Sequence, residues 1–154
     1  MDWGQAFKIA NTVALAGWIL LVFLPRPPWL ILALRRGLIG CFCLIYATVI
    51  FGFVSDVDGG GFSTLEEVKA LFRSDAVVFA GWLHYLAFDL FVGLWVAEQS
   101  DLKKLHRVFQ APILAAIFLL GPFGLLIYFV LDGFMTIARR GSPGSPQSEL
   151  KGNP

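Results

Sequence analysis

Four long apolar runs, separated by short polar stretches, make up most of this chain. They cover residues 6–24, 37–54, 76–96 and 108–131. A helix of roughly 20 apolar residues crosses the hydrocarbon core of a bilayer, so the pattern predicts four transmembrane helices. Pro25, Pro27 and Pro28 end the first run, because proline lacks an N–H and clashes with the preceding turn. No small-residue cleavage site follows that run, so it reads as an uncleaved membrane helix. Trp29 fits an interfacial anchor, and Arg35 and Arg36 mark the membrane edge before the second run.

The polar stretch 55–74 carries Gly59, Gly60 and Gly61, which break regularity. Ser63 and Glu66 then match a capping box. Leu65, Val68, Leu71 and Phe72 fall on one helical face, which predicts a short amphipathic helix there. Gly121-Pro122-Phe123-Gly124 interrupts the fourth run and predicts a kink. Residues 141–154 are rich in Gly, Ser and Pro and read as a disordered tail. The expected fold is therefore all-α: a bundle of four transmembrane helices over residues 1–140, with an amphipathic helix between the second and third. Four spans place both termini on one side. The basic residues of the short links (Arg26, Arg35, Arg36, Lys103, Lys104 and Arg107) favour cytoplasmic links and outer termini.

Composition supports the membrane reading. The 154 residues are 57% hydrophobic and only 15% charged, with a mean hydropathy of +0.72. A formal net charge of +1 and the absence of a basic, aromatic-interleaved patch argue against nucleic acid as a partner. Cys41 and Cys43 point about 200° apart on a helix and read as packing residues. Asp56, Asp58, Gly61 and Glu67 follow part of a calcium-loop pattern, but Gly60 falls where a side-chain ligand is needed, so a polar turn is the simpler reading. A closed metal site needs about four ligands, and the apolar runs supply only two deep ligand types. Neither a phosphate-binding loop nor a haem motif is present, so no cofactor is expected.

Chemistry concentrates in the third run, where His84, Tyr85 and Asp89 interrupt apolar sequence. An ionisable residue at that depth costs several kcal/mol and faces protein, a cavity or a partner. At about 100° per residue, Tyr85 and Asp89 share a face with Trp82 and Gly93. His84 lies about 140° away, on a face with Phe88, Phe91 and Trp95. A His/Asp couple performs general acid–base work when both groups reach one substrate. The structural alternative is two polar residues that tie helices together by hydrogen bonds. Asn11 and Thr12 in the first run read either as helix-packing polar contacts or as ligand contacts.

Several stretches resemble a known family. They are Leu71-Phe72, Gly81 to Gly93 (with the core W-x-H-x-x-x-x-D-L-F from Trp82 to Phe91), Gly121-Pro122-Phe123-Gly124, and Asn11 to Trp18 followed by Pro25. Together they resemble the membrane family that includes plant neoxanthin synthase, the abscisic-acid-deficient-four-like proteins, over most of residues 8–131. The plant activity converts violaxanthin into neoxanthin by opening an epoxide and forming an allene. The resemblance thus implies an isomerase acting on a carotenoid or related isoprenoid in the lipid bilayer. That chemistry wants an acid at the epoxide oxygen and a base at a neighbouring C–H. His84 and Asp89 are the candidate catalytic residues, and Asn11, Trp82, Tyr85 and Pro122 are candidates for substrate binding. Without a long N-terminal transit region the sequence resembles bacterial members, which implies a multi-pass protein of the bacterial inner membrane. The alternative is a non-catalytic module that binds lipid or pigment, or that scaffolds a partner membrane protein. A transporter would require a homo-oligomer.

Overall fold

The computed structural model describes residues 2–140, and the expected tail at 141–154 lies outside them. The described residues are helical, with no strand among them. Helix α1 (Trp3–Phe23) opens on Asp2, whose carboxylate accepts from the Gln5 N–H at 3.0 Å, a side-chain N-cap. After the proline turn the chain starts a second rod at Pro28, the first helical position, where the missing N–H costs nothing. This rod comprises α2 (Pro28–Leu32), a π-helical segment (Ala33–Ile39) and α3 (Gly40–Phe53), which continue one another over 26 residues. It is longer at its start than the apolar pattern suggested, because Arg35 and Arg36 sit inside the rod.

The loop helix forms as expected, as α4 (Leu65–Leu71), but its cap is one residue later. Thr64 accepts from the Glu67 N–H at 3.2 Å, and Glu67 accepts from the Ser63 N–H at 3.0 Å. The Ser63/Glu66 pairing is thus replaced by Thr64/Glu67. Of the predicted apolar face, Leu71 is buried while Leu65 and Phe72 are exposed.

Helix α5 (Asp75–Leu102) is the core of the fold. Half of its apolar window is buried inside the protein, against 28% for α1 and 22% for the α2–α3 rod. Much of the outward-facing surface of those two helices is apolar, including Ile9, Val13, Ile19, Leu32, Leu44 and Phe51. These three are the described helices long and apolar enough to cross a membrane.

The fourth run does not form one kinked span. It divides into α6 (Arg107–Leu120) and α7 (Pro122–Arg140), and the two lie antiparallel as a hairpin. Contacts along α5 record the reversal. Gln110, early in α6, meets Asp101, and the Phe118 carbonyl meets Tyr85. Gly121 then touches Asp89, after which Tyr128 packs on Trp95 and Asp132 pairs with Lys103. The chain therefore climbs from the end of α5 to its middle and returns. Gly121 ends α6 with φ +41°, and its N–H donates to the Ile117 carbonyl at 2.7 Å. Pro122 restarts a helix at once. A Cβ at Gly124 would lie 2.3 Å from the Ile117 backbone nitrogen, so only glycine permits so close a crossing. At 1.5 Å per residue, α6 is about 21 Å long, short of the roughly 30 Å hydrocarbon core. The four-span bundle expected from the apolar runs is thereby replaced by three long helices and a hairpin that reaches half-way along α5.

Candidate functional site

Asp89 lies near the middle of α5, on the face turned towards α1 and the hairpin. A Cβ at Gly121 would approach its Oδ1 to 2.7 Å, so the carboxyl rests directly against the turn. Helix α7 starts there, and the first-turn N–H groups of a helix carry partial positive charge. Asp89 Oδ2 is buried and has no hydrogen-bond partner among the described residues. A buried unpaired polar atom costs about 1–3 kcal/mol.

The neighbouring residues on that face complete a small site. Tyr85, one turn earlier, lines the same cavity as Asp89, and its hydroxyl donates to the Phe118 carbonyl at 3.4 Å. Trp82 donates from Nε1 to Asn11 Oδ1 at 3.0 Å, and Asn11 Nδ2 donates to the Phe7 carbonyl at 2.8 Å. Ring contacts of 5.2 Å join Phe7, Trp82 and Tyr85. Trp18 fills the notch left by Gly93, where a Cβ would fall 2.3 Å from its ring. Together these groups enclose a cavity of about 210 Å³ walled by Asn11, Trp18, Trp82, Tyr85, Asp89 and Phe118. A second cavity of about 380 Å³ runs between α1 and α6 and shares Trp18 and Phe118 with the first. Its other walls are apolar, among them Leu15, Ile19, Val22 and Leu114. Trp18 and Phe118, whose ring centroids lie 5.5 Å apart, form the wall that the two cavities share: the mid-helix cavity bears oxygen atoms and the other is apolar.

The sequence candidates are thus partly gathered. Asn11, Trp82, Tyr85 and Asp89 share the cavity. Pro122 sits in the adjoining turn, exposed, and does not line it. His84 is on another face of α5: exposed, stacked on Phe88 at 4.4 Å, and 5.7 Å from the ring of Tyr46. Trp18, Phe118 and Gly121 were not singled out as site residues. Gly93 on the Asp89 face was the available signal for Trp18; nothing local announced that Phe118 and Gly121 return to α5.

Residues 5–128 match the ABA DEFICIENT 4-like family. The chain belongs to that family. This agrees with the resemblance carried by the Trp82 to Phe91 core. No curated protein and no solved structure matches the chain. The cavity and the hairpin turn lie wholly inside the segment matched to the ABA DEFICIENT 4-like family, whereas Asp132 lies beyond it.

This ABA DEFICIENT 4-like protein has a second polar centre, at the end of the bundle where α1 stops and α5 gives way to α6. The Arg26 side chain is only 3% exposed. Its Nη1 donates to Asp101 Oδ2 at 3.0 Å and to Gln110 Oε1 at 2.6 Å, and its Nε donates to the Leu21 carbonyl at 2.8 Å. Gln110 Nε2 closes the ring by donating to Asp101 Oδ1 at 2.8 Å. Burial draws the Arg26 guanidinium below its ordinary value, and Asp101 opposes that shift. Arg35 pairs with Glu98 nearby, and Arg107 Nη1 donates to the Leu24 carbonyl at 2.5 Å. These contacts bind the α1–α2 turn to both ends of the α5–α6 link.

Proposed function

We propose that this chain is a multi-pass integral membrane protein that isomerises a membrane-dissolved carotenoid or related isoprenoid, with Asp89 as the proton-transferring group. The observation that carries the reading is the Asp89 cavity, which holds an unpartnered buried carboxyl oxygen beneath aromatic walls and shares its Trp18–Phe118 wall with an apolar cavity between α1 and α6. A small oxygen-bearing cavity beside an apolar one suits the oxygenated end of a long apolar molecule. The aromatic walls of Trp18, Trp82, Tyr85 and Phe118 suit the ring itself, and family membership favours an epoxide-bearing carotenoid. In the membrane, α1, the α2–α3 rod and α5 span the bilayer. The α6–α7 hairpin enters from the α5 exit side and turns at Gly121.

The proton balance of epoxide-to-allene isomerisation is zero. Protonated Asp89 gives its proton to the epoxide oxygen as the C–O bond breaks. The neighbouring C–H releases a proton to a carboxylate oxygen, and its electron pair becomes the new double bond. One carboxyl performs both transfers, and His84 on the opposite face is not required. Proton transfer by a positioned group contributes about 10²–10⁴-fold.

The test is pigment chromatography from cells that accumulate violaxanthin. The native chain should yield a neoxanthin peak. Asp89→Asn should lose it by at least about 100-fold, while His84→Ala retains it. A peak that survives Asp89→Asn, or vanishes only in His84→Ala, overturns the assignment. Violaxanthin that co-purifies unchanged with the native chain would instead make this a pigment-binding module.

A further inference from the structure

A large cavity lies away from Asp89, at the end of the bundle that carries Arg26. It measures about 740 Å³ and opens between the start of the α2–α3 rod and the last turn of α5. Ligand pockets commonly hold roughly 300–1,000 Å³, so it is large enough for a small molecule or a lipid headgroup. Its charged walls are Arg26, Arg35, Glu98 and Asp101, two cations and two anions. Ile31 and Leu102 line its apolar side.

Both Asp101 oxygens are taken, by Arg26 and Gln110, but the other charged walls retain bonding capacity: Glu98 accepts from Arg35 through Oε2, which leaves its Oε1 without a partner among the described residues. All the hydrogen bonds of Arg26 among the described residues run through Nε and Nη1, which leaves Nη2 for the cavity. Arg35 uses Nη2 alone, on Glu98 Oε2, so its Nε and Nη1 are free among the described residues. The Gln99 amide also lines the cavity and makes no side-chain hydrogen bond there. The π-helical segment matters because its wider turn changes the phase of the rod. It sends Arg35 towards α5 while Leu34 and Ile39 stay buried.

We propose that this cavity binds a zwitterionic phosphoethanolamine headgroup. The phosphate lies against Arg26, Arg35 and Gln99, and the ammonium against Glu98. Two cations and two anions on the walls complement a zwitterion. A purely anionic headgroup would meet two carboxylates and gain no net attraction from a neutral set of walls. A quaternary ammonium is recognised by an aromatic cage, and no aromatic residue lines this cavity. A primary ammonium has three N–H donors and suits a carboxylate. The apolar side of Ile31 and Leu102 takes the glycerol and the first acyl carbons.

The same chemistry comes from a membrane phospholipid or from a soluble phosphoethanolamine ester. The experiment separates them on the full-length, delipidated protein in detergent. Native mass spectrometry would titrate dihexanoyl phosphatidylethanolamine, phosphatidylcholine and phosphatidylglycerol, and glycerophosphoethanolamine without acyl chains. One equivalent of the ethanolamine lipid should bind at least about 10-fold more tightly than either of the other two lipids. Glu98→Gln replaces a half-exposed side chain and should fold; it should bring ethanolamine and choline lipids to equal affinity. Weaker binding of the acyl-free ester assigns the site to a lipid, whereas equal binding assigns it to a soluble ester. Equal affinity for all three lipids in the native protein, or an ethanolamine preference unchanged in Glu98→Gln, overturns the proposal. The native lipid panel decides the matter even if the variant does not fold. None of these readouts involves carotenoid turnover, so this proposal stands or falls apart from the isomerase reading.

Discussion

At the scale of single residues, two features of the hairpin turn have opposite energetic signs. Gly121 and Gly124 permit contacts that any side chain would block. Asp89, held against them, keeps a buried oxygen without a partner. Gly124→Ala should destabilise the protein by about 1–3 kcal/mol or more, since its methyl group meets backbone and cannot repack. Thermal unfolding in detergent would register the loss. Asp89→Asn should behave differently. It keeps the shape and removes the need to bury a carboxyl, so the melting temperature should hold or rise while activity falls. A large drop in melting temperature would make Asp89 a structural tie instead. Stability traded for function is the expected mark of a working group at a strained site.

At the scale of elements, the division of the fourth apolar run changes the topology of the chain. A single span would carry residue 136 to the side of the α3–α4 loop, which lies at the end where Trp3 packs on Phe53. The hairpin returns it to the side of Lys104. Cysteines placed one at a time at Gly59, Lys104 and Thr136, with Cys41 and Cys43 replaced by alanine, would report this through a membrane-impermeant thiol reagent. The expected pattern is Lys104 and Thr136 labelled together from one face and Gly59 from the other. Thr136 labelling with Gly59 would restore the four-span bundle. The apolar pattern could not distinguish these cases. A kinked span and a hairpin bury similar residues, and the choice rests on whether Gly121 adopts a left-handed backbone.

At the scale of the whole molecule, polar contacts concentrate at one end, where Arg26, Gln110, Asp101 and Arg107 tie α1 to the α5–α6 link. Arg26→Leu strips a donor from both Asp101 and Gln110 and should cost roughly 2 kcal/mol, measurable by thermal unfolding. Docking of α7 has its own tie at that end. The Lys103 ammonium is held above its ordinary value of 10.5 by its hydrogen bond to Asp132, aided by Tyr128 and opposed by burial. A raised amine contributes stability that is complete below its unfolded value and is lost as pH climbs through the folded one. The stability gap between the native chain and Lys103→Met should therefore be full at pH 8 and should close above about pH 10.5. A gap unchanged at pH 11 would remove the ion pair from the account.

Periodicity and hydropathy alone determined the all-helical class and the sharing of one face by Trp82, Tyr85, Asp89 and Gly93, because these follow from 3.6 residues per turn and from the cost of wetting apolar surface. The Trp82 to Phe91 core also carried the family. The Asn11–Trp82 bond, the seating of Trp18 on Gly93, the reversal that brings Phe118 and Gly121 to Asp89, and the cavity between Arg26, Arg35 and Glu98 belonged to tertiary structure. Each joins residues far apart in the chain, and their meeting depends on which helix faces pack and on one positive backbone angle. His84 illustrates the same division: its spacing placed it off the Asp89 face, but only the packed helices decided that its own face points outward.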